Sequence, residues 1–492
     1  MEDIRMALRT RQEYISALKK MRPNIYKFGE LIADVTTHPA TRRMVESHAV
    51  GIDAAHNPEL AHVFTTTSHL TGERIHRFNS AMISAEDMMY NSFFKRKMYQ
   101  LTGTCHGGLC AGWHGYSVMW SVTYDMDQAL GTDYHERLKE WGRHFERKGL
   151  VTAAALTDAK GDRTKKPSQQ EYLDSNLHIV DYRNDGIIIR GTKSMICGSA
   201  AADEIMLLPG SAYREEDKNF CQVCVVPKDI EGLTIVECRH PNDSRDLEEG
   251  FDNPVHTGIT QAYLLFDDVF VPRDRVFMAG EYQFTGQMIR RFTSSYRACI
   301  GACVCGQGDV MVGAAALIAR ANGIGIKAFR DKITEMVLRN ETTFSMGLGA
   351  IALGHQHPSG AWICDDLRGH ANKIWVGTLP YENKRLLQEI AGGIGETGCF
   401  PSYKDIENHQ YGHLIKAALK AGASSGVSRA RISRLIEWLT LGAGIPGCMH
   451  GGGSPDGARM VLYHMSPLEE YVDYAKALAG VDEDISEPVK KK

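Results

Sequence analysis

The chain has 492 residues, of which 43% are hydrophobic, so it can bury a large core and form two to four domains. Its net charge of −4 and pI near 6.6 argue against a nucleic acid or an anionic membrane as the main partner. The opening segment MEDIRMALRTRQEYISALKKM lacks the apolar core of a signal peptide, and no apolar run is long enough to span a membrane. The sequence therefore predicts a cytoplasmic protein.

The predicted elements fall into three blocks along the chain. Residues 1–145 are mainly helical in pattern, since segments such as DYHERLKEWGRHFERKG repeat apolar residues every three or four positions. Residues 146–280 contain short β-rich runs, such as LHIVDYRNDGIIIRGTKSMICG, separated by turn signals such as RNDG. Residues 281–492 return to long helical segments such as GQMIRRFTSSYRACIGA. We therefore expect an α+β fold with a helical N-terminal domain, a central β domain and a C-terminal helical domain.

Twelve cysteines are many for a chain predicted to lie in a reducing compartment, where disulfides are rare. Most are expected to be buried packing residues, because a free cysteine behaves as a small hydrophobic side chain. The CxxC of Cys221 and Cys224 lies in a predicted strand and is predicted to be structural, since residues three apart there point to opposite faces. Two stretches are more suggestive of chemistry: LTGTCHGGLC at 101–110 and YRACIGACVCG at 296–306.

Longer stretches of the chain are similar to a known superfamily. The segments ALTDAKGDRTKKPSQQ, LHIVDYRNDGIIIRGTKSMICGSAAADEIMLLP and FDDVFVPRDRVF resemble the 4-hydroxyphenylacetate 3-hydroxylase superfamily. TTTSHLTGERIHRFN, TYDMDQALGTDYH and MHGGGSP extend the resemblance, nearly end to end, to its 4-hydroxybutyryl-CoA dehydratase branch. This resemblance implies an acyl-CoA dehydrogenase-like fold: a helical N-terminal domain, a central antiparallel β-barrel domain and a C-terminal four-helix bundle, with a flavin between the last two.

The resemblance also implies FAD, and three segments carry residues suited to bind it. TDAKGDR ends a strand in a loop that offers backbone N–H groups, and ICGS ends another with small residues that let a flat ring approach. In this architecture a segment such as IAGGIG holds FAD of a neighbouring subunit, although glycine is also a usual helix terminator. A thiol, which donates weakly, replaces the family's threonine in ICGS. The predicted cofactor residues are Thr157, Asp158, Asp162, Arg163, Cys197, Gly198, Ser199, Gly392, Gly393 and Gly395. The absence of G-x-G-x-x-G at a strand–helix turn argues against a nicotinamide enzyme.

The dehydratase branch holds a [4Fe–4S] cluster on two cysteines before the β domain, and on a histidine and a cysteine of a bundle helix. Cys105 and Cys110 match the first pair with one extra residue between them, and Cys303 matches the later cysteine, but Tyr296 stands at the histidine position. Cys299 lies one helical turn before Cys303, so the sequence predicts an all-thiolate site of Cys105, Cys110, Cys299 and Cys303. The alternative is that these cysteines only fill space in a tightly packed helix and turn.

Several catalytic positions of that branch are altered here. Gln261 and Gly447 stand where the branch has glutamates, and glutamine cannot accept a proton at neutral pH. Histidine as a residue type titrates near neutrality, which favours an acid–base role for His450 in CMHGGGSP, while a loop histidine bonded to backbone is the structural alternative. The predicted catalytic residues are His450, Tyr296 and Arg297, with His106 and His114 as further candidates.

The function implied by the resemblance is that of a flavin-dependent lyase or isomerase. It would dehydrate or isomerise a hydroxyacyl-CoA and assemble as a homotetramer. Candidate cations for the CoA phosphates are Arg163, Lys165 and Lys166, or Arg290 and Arg291. A flavin-dependent aromatic monooxygenase of the same superfamily and a non-catalytic paralogue are the alternative hypotheses.

Overall fold

The computed structural model describes residues 8–159, 161–240, 243, 248–441, 451–483 and 485, and it confirms the predicted mixture of helices and strands. Its first region is mainly helical because most of its helices carry an apolar stripe on one face. The elements are α1 (Arg11–Lys20), β1 (Ile25–Lys27), β2 (Glu30–Ile32), α2 (Pro39–His56), α3 (Ala61–Phe64), β3 (Thr65–Thr67), β4 (Arg74–His76), α4 (Ala85–Thr102), α5 (Gly107–Leu130) and α6 (Tyr134–Lys148).

The central region is formed by strands that alternate buried and exposed residues or are buried on both faces. Turn residues separate them, as in the Asn184–Asp185 connection between the second and third strands. The strands are β5 (Thr152–Ala155), β6 (His178–Arg183), β7 (Gly186–Cys197), β8 (Glu204–Leu207), β9 (Gln222–Pro227), β10 (Leu233–Glu237), β11 (Gln261–Pro272) and β12 (Val276–Ala279).

These strands form two sheets that share one apolar core, to which Leu264 and Val226 contribute from opposite sides. The larger sheet has the order β2-β1-β10-β11-β7-β6 and the smaller β12-β9-β8-β5. The predicted antiparallel barrel is corrected in two respects. Within the described residues neither sheet closes on itself, and β1 pairs with β10 and β5 with β8 in parallel. Both parallel pairs join strands distant in sequence, so no tight hairpin forces them antiparallel.

The C-terminal region is helical and centres on one long helix. Its elements are α7 (Thr285–Ala321), α8 (Arg330–Ala352), β13 (His355–Gln356), β14 (Trp362–Ile363), α9 (Asp366–Val376), α10 (Leu379–Ala391), α11 (Gly393–Thr397), α12 (Tyr403–Ile406), α13 (Gly412–Leu419), α14 (Gly426–Leu441), α15 (Pro455–Met465) and α16 (Leu468–Ala479). Helix α7 packs against α8, α9, α10 and α14, and also against α4 and α5 of the first region. The four-helix bundle and the three domain boundaries stay predictions.

Helix α7 contains a long apolar stretch. The span Tyr282–Ala321 is the one helix among the described residues that is long and apolar enough to cross a membrane. Of its most apolar window, 67% is buried inside the protein. The core helix of a globular protein has the same property, so the central packing position of α7 explains its composition.

Candidate active site

The two suggestive sequence stretches meet because α5 begins directly on the end of β7. Helix α4 ends at Gly103, whose φ of +68° suits a left-handed C-cap, and the turn 103–106 leads into α5. Gly108 then packs so closely on β7 that a Cβ there would lie 2.5 Å from the carbonyl oxygen of Cys197 and 2.9 Å from Cα of Gly198. Only glycine permits this approach, which places the CHGGLC segment beside the ICGS segment.

Three of the four predicted cluster cysteines converge next to this contact. Cys105 accepts a hydrogen bond from the Gly107 amide at 3.4 Å. The neighbouring Cys303 thiol on α7, the amide at the start of α5 and the charge of Lys95 lower the pKa of Cys105 to about 7. Cys110, one helical turn further, donates to the hydroxyl of Tyr296 at 3.6 Å. Burial raises the pKa of the Cys110 thiol.

Cys299, the fourth predicted ligand, lies elsewhere. Its sulfur is 4.0 Å from the carbonyl oxygen of Met88 on α4, and its nearest thiol neighbourhood is that of the buried Cys364. Across the described residues, no group of three or more His, Cys, Asp or Glu side chains is arranged to hold a metal ion. The side chains therefore do not fit a [4Fe–4S] cluster as the sequence predicts it, and the alternative of close-packed thiols describes the geometry better.

A buried polar chain that the sequence interpretation missed borders the thiols. Lys95 on α4 and His114 on α5 are completely inaccessible, and the Lys95 ammonium donates to Nε2 of His114 at 2.7 Å. Burial and the Lys95 charge keep the pKa of His114 far below its ordinary value, so the ring is neutral. Its Nδ1–H therefore donates to Oγ of Ser295 at 2.8 Å. In the described part of the chain no carboxylate pairs with Lys95. The sequence points to Lys95 only through its position among the buried residues of α4.

Tyr296 is held by this chain and by its own helix. The Lys95 ammonium lies 5.3 Å from the centre of the Tyr296 ring, the His114 ring meets it edge-on at 5.3 Å, and Phe292 stacks on it at 5.5 Å. Burial raises the pKa of the Tyr296 hydroxyl well above its ordinary value. Tyr296 nevertheless stays partly exposed.

Arg297, the next predicted catalytic residue, donates hydrogen bonds to a backbone carbonyl and to a neighbouring histidine ring. Its Nε donates to the carbonyl oxygen of Gly452 at 2.8 Å, and its Nη1 donates to Nδ1 of His370. A Cβ on Gly452 would lie 3.1 Å from the Tyr296 ring, so Arg297 fastens this Gly-rich segment over Tyr296. His450, predicted as the acid–base residue, lies outside the described residues, two positions before Gly452.

The predicted flavin residues at the end of β7 leave one polar group without a partner. Gln261 donates to Sγ of Cys197 at 3.3 Å, and burial raises the pKa of this thiol to about 12. The Ser199 hydroxyl is completely buried, and no hydrogen-bond partner for it is found among the described residues. A buried hydroxyl without a hydrogen-bond partner lowers the stability of the fold unless a ligand bonds to it. The end of β7 therefore fits a bound cofactor that supplies this partner.

The other predicted flavin residues lie on two separate surfaces. The Asp158 carboxylate accepts hydrogen bonds from the Lys193 ammonium at 2.6 Å and from the Tyr213 hydroxyl at 3.1 Å. These bonds fix the loop after β5, so Asp158 has a structural role there. The backbone oxygen of Thr157 accepts from Ser194. Asp162 and Arg163 are exposed in that loop, and Asp162 accepts from the Thr164 amide at 2.9 Å.

At the junction of α10 and α11, Gly392 and Gly393 are exposed, and a Cβ on either would meet nothing within 4 Å. Gly395 is buried against Ala391 and Ile436. The first two glycines therefore offer accessible backbone, while the third is a packing residue.

The fold and the family models identify the class of protein. The model described as 4-hydroxyphenylacetate 3-hydroxylase N terminal matches residues 10–278, and that described as its C terminal matches residues 285–480. The chain therefore belongs to the 4-hydroxyphenylacetate 3-hydroxylase family, as its sequence motifs predict.

Among particular relatives, the 4-hydroxybutyryl-CoA dehydratase/vinylacetyl-CoA-Delta-isomerase of Clostridium aminobutyricum is 34% identical over 491 residues, which cover 96% of this chain and 100% of the relative. The solved structure of an oxygen-tolerant archaeal 4-hydroxybutyryl-CoA dehydratase from N. maritimus matches with a TM-score of 0.93 at 35% identity, covering 99% of this chain and 97% of that one. The oxygenase component of 4-hydroxyphenylacetate 3-monooxygenase, complexed with FAD, shares the fold with a TM-score of 0.81 at 22% identity, covering 96% and 98%.

Proposed function

We propose that the protein is an enzyme that dehydrates a hydroxyacyl-CoA or shifts the double bond of an enoyl-CoA. The observation that carries this proposal is the end-to-end match, at 34% identity, to the dehydratase and isomerase of Clostridium aminobutyricum. The match covers 96% of this chain and the whole of the relative. The substrate class is therefore a short-chain CoA thioester such as 4-hydroxybutyryl-CoA or vinylacetyl-CoA.

The reaction requires proton transfer at two carbons of the acyl chain. Moving the double bond of vinylacetyl-CoA into conjugation removes a proton from C2, which the thioester acidifies, and returns one to C4. Dehydration of 4-hydroxybutyryl-CoA additionally removes a proton from C3 and expels the hydroxyl group of C4, which together leave as water. Tyr296, partly exposed and clamped by Lys95 and Phe292, is the described group best placed to hold or move a proton. His450 is the second candidate, two residues before the Gly452 carbonyl that Arg297 binds.

FAD is the proposed cofactor, and it would supply reversible electron transfer to and from the substrate. Residues Cys197 to Ser199 would hold it at the end of β7, where the Ser199 hydroxyl has no hydrogen-bond partner among the described residues. Gly392 and Gly393 would meet the FAD of a neighbouring subunit in a homotetramer. Because the four predicted cysteine ligands do not gather around one point, no step is assigned to an iron–sulfur cluster.

The proposed CoA-binding cations differ in their availability. Arg290 is paired with Asp366 at 2.6 Å, and Arg291 with Asp125 at 2.9 Å, so both are engaged within the protein. Arg163 lies in the exposed loop after β5, together with Lys165 and Lys166. This loop is therefore the better candidate for the CoA phosphates, which favour flexible, solvent-facing cations.

A panel of ligands tests the substrate class. Acyl-CoA thioesters and substituted phenols would be compared in thermal-shift measurements on FAD-loaded protein, followed by turnover assays with vinylacetyl-CoA. Stabilisation and turnover of the thioester are expected. Stabilisation by phenols alone, with hydroxylation when reduced FAD and oxygen are supplied, would establish the second candidate, the aromatic monooxygenase that the family name favours. Binding of both FAD and acyl-CoA without turnover would support a non-catalytic paralogue.

A further inference from the structure

Helix α16 (Leu468–Ala479) is exposed over nearly its whole length. None of its side chains is buried against the described part of the chain, and Leu478 is 92% exposed. A free helix of 12 residues is marginal in water, because nucleating it costs more than its few hydrogen bonds return. Most helices of this length are stabilised by packing an apolar face on another element, and α16 has such a face.

The apolar side chains of α16 form one stripe, since they recur at the three- and four-residue spacing of a single helix face. Helix α15, which directly precedes it, adds further exposed apolar residues. At roughly 100 Å² for each half-exposed large side chain, six of them present about 600 Å² of apolar surface. These six are Met460, Tyr463, Leu468, Tyr471, Val472 and Leu478. A patch of this size marks an interaction site.

A second copy of this chain matches the area and the charge of this surface. Two such patches bury about 1,200 Å² in total, which is the lower limit of a standard stable interface. Glu469 in the first turn of α16 and Lys476 in its last turn lie on the same border of the stripe. When two α16 helices pack antiparallel, the same borders meet, and each lysine lies opposite the glutamate of the other copy. This self-complementarity is what a two-fold interface requires.

We propose that two copies of the chain join through α15 and α16, and that this contact holds the segment 452–454 over Tyr296. Helix α15 begins at Pro455, directly after that segment, and packs on α9. Arg297 binds the carbonyl oxygen of Gly452 at 2.8 Å, and a Cβ on Gly452 would lie 3.1 Å from the Tyr296 ring. A partner that fixes α15 and α16 therefore also fixes the cover of the candidate active site, which is complete only in the dimer. The inference goes beyond the proposed function and does not depend on which substrate is turned over.

The first test is the mass of the full-length protein in solution, measured by light scattering at low and high micromolar concentration. The double variant Tyr471→Glu/Leu478→Glu places two charges on the stripe, and it should fold normally because both side chains are exposed in the single chain. We expect wild type at twice the chain mass or a multiple of it, and the variant at a lower mass. Leu130→Glu, at an exposed apolar residue at the end of α5, is the control and should assemble as wild type. A monomeric wild type, or a double variant with the wild-type mass, would overturn the proposal.

An exchange of charges tests the antiparallel pairing. Lys476→Glu should weaken assembly by placing two glutamates opposite each other, and adding Glu469→Lys should restore it. Failure of the second substitution to restore the wild-type mass would overturn this pairing.

Hydrogen exchange of the backbone amides of residues 451–466 tests the link to the candidate active site without any substrate. Exchange should be faster in Tyr471→Glu/Leu478→Glu than in wild type, because loss of the partner frees the segment over Tyr296. Leu130→Glu should exchange as wild type. Equal exchange in all three proteins would overturn the link between assembly and the site, whether or not the protein turns over a CoA thioester.

Discussion

Replacing Lys95 with methionine removes the buried charge beside Tyr296 while keeping the side-chain length. The ammonium is completely inaccessible and donates to His114 at 2.7 Å, and no carboxylate among the described residues offsets its charge. Burying an ammonium costs several kcal/mol, whereas methionine buries without that cost. The change leaves Nε2 of His114 without a donor, which costs about 1–3 kcal/mol. The two effects oppose each other, so the stability of the Lys95→Met variant should equal or exceed that of wild type.

Activity should respond differently from stability. If the cation positions Tyr296 and supports negative charge in the site, its loss should lower kcat/KM on the order of 100-fold, mainly through kcat, as for other removed charge-stabilising groups. The assay is turnover of the acyl-CoA substrate by FAD-loaded protein, with thermal melting measured on the same samples. A purely structural lysine would give the opposite pattern: a lower melting temperature and an unchanged rate per folded enzyme.

Two substitutions of His114 provide a matched pair. Glutamine places an acceptor near the position of Nε2 and retains the Lys95 contact, whereas asparagine places a donor near Nδ1 and retains only the Ser295 contact. We expect His114→Gln to keep most activity and His114→Asn to resemble Lys95→Met. His135→Gln, at another buried histidine bonded to a hydroxyl, is the control and should leave kcat unchanged. Equal rates for the two His114 variants would refute the positioning role.

Gly108→Ala should lower the stability of the protein by about 1–3 kcal/mol and should also lower its activity, because the added Cβ would meet the Cys197 backbone. Gly313 has open space around it, so Gly313→Ala should leave stability unchanged or raise it by up to about 1 kcal/mol. Denaturation and turnover of both variants check this, and equal stability would contradict the close packing of α5 on β7. Burial raises the pKa of the Glu146 carboxyl to about 7 from an ordinary 4.5, so the folded state binds its proton more tightly than the unfolded state does. Its contribution to stability is therefore present at low pH and is lost as the pH rises from 4.5 to 7, by about 3 kcal/mol. Urea denaturation across this range should show that decline for wild type and a flatter profile for Glu146→Gln; parallel profiles would contradict the raised pKa.

The sequence predicts the parts of this fold that local patterns determine. The RNDG turn between β6 and β7, the long strands and the helical blocks follow from periodicity and turn residues. The open sheets do not follow from such patterns, because the three-residue strand β1 pairs with β10, which lies in a distant part of the chain. A strand as short as β1 has too few residues for a recognisable alternation, and tertiary contacts decide where it pairs.

The candidate site is predictable to a similar degree. The resemblance pointed to Cys105, Cys110, Cys303 and Tyr296, and the structure brings these together. Cys299 was expected to join them because it lies one turn before Cys303. Residues four apart are nevertheless rotated by about 40° around a helix, and this rotation turns Cys299 toward Met88 instead. The role of Lys95 depends on contacts between α4, α5 and α7, which no local pattern specifies.

The central claim is that this protein converts a CoA thioester by loss of water or by a double-bond shift. The most direct measurement is incubation of FAD-loaded protein, purified anaerobically, with 4-hydroxybutyryl-CoA and analysis of the thioester by chromatography and mass spectrometry. The account predicts a butenoyl-CoA product lighter than the substrate by one water, and the same product from vinylacetyl-CoA without a change of mass. Unchanged recovery of both thioesters by protein that binds FAD and acyl-CoA would contradict it.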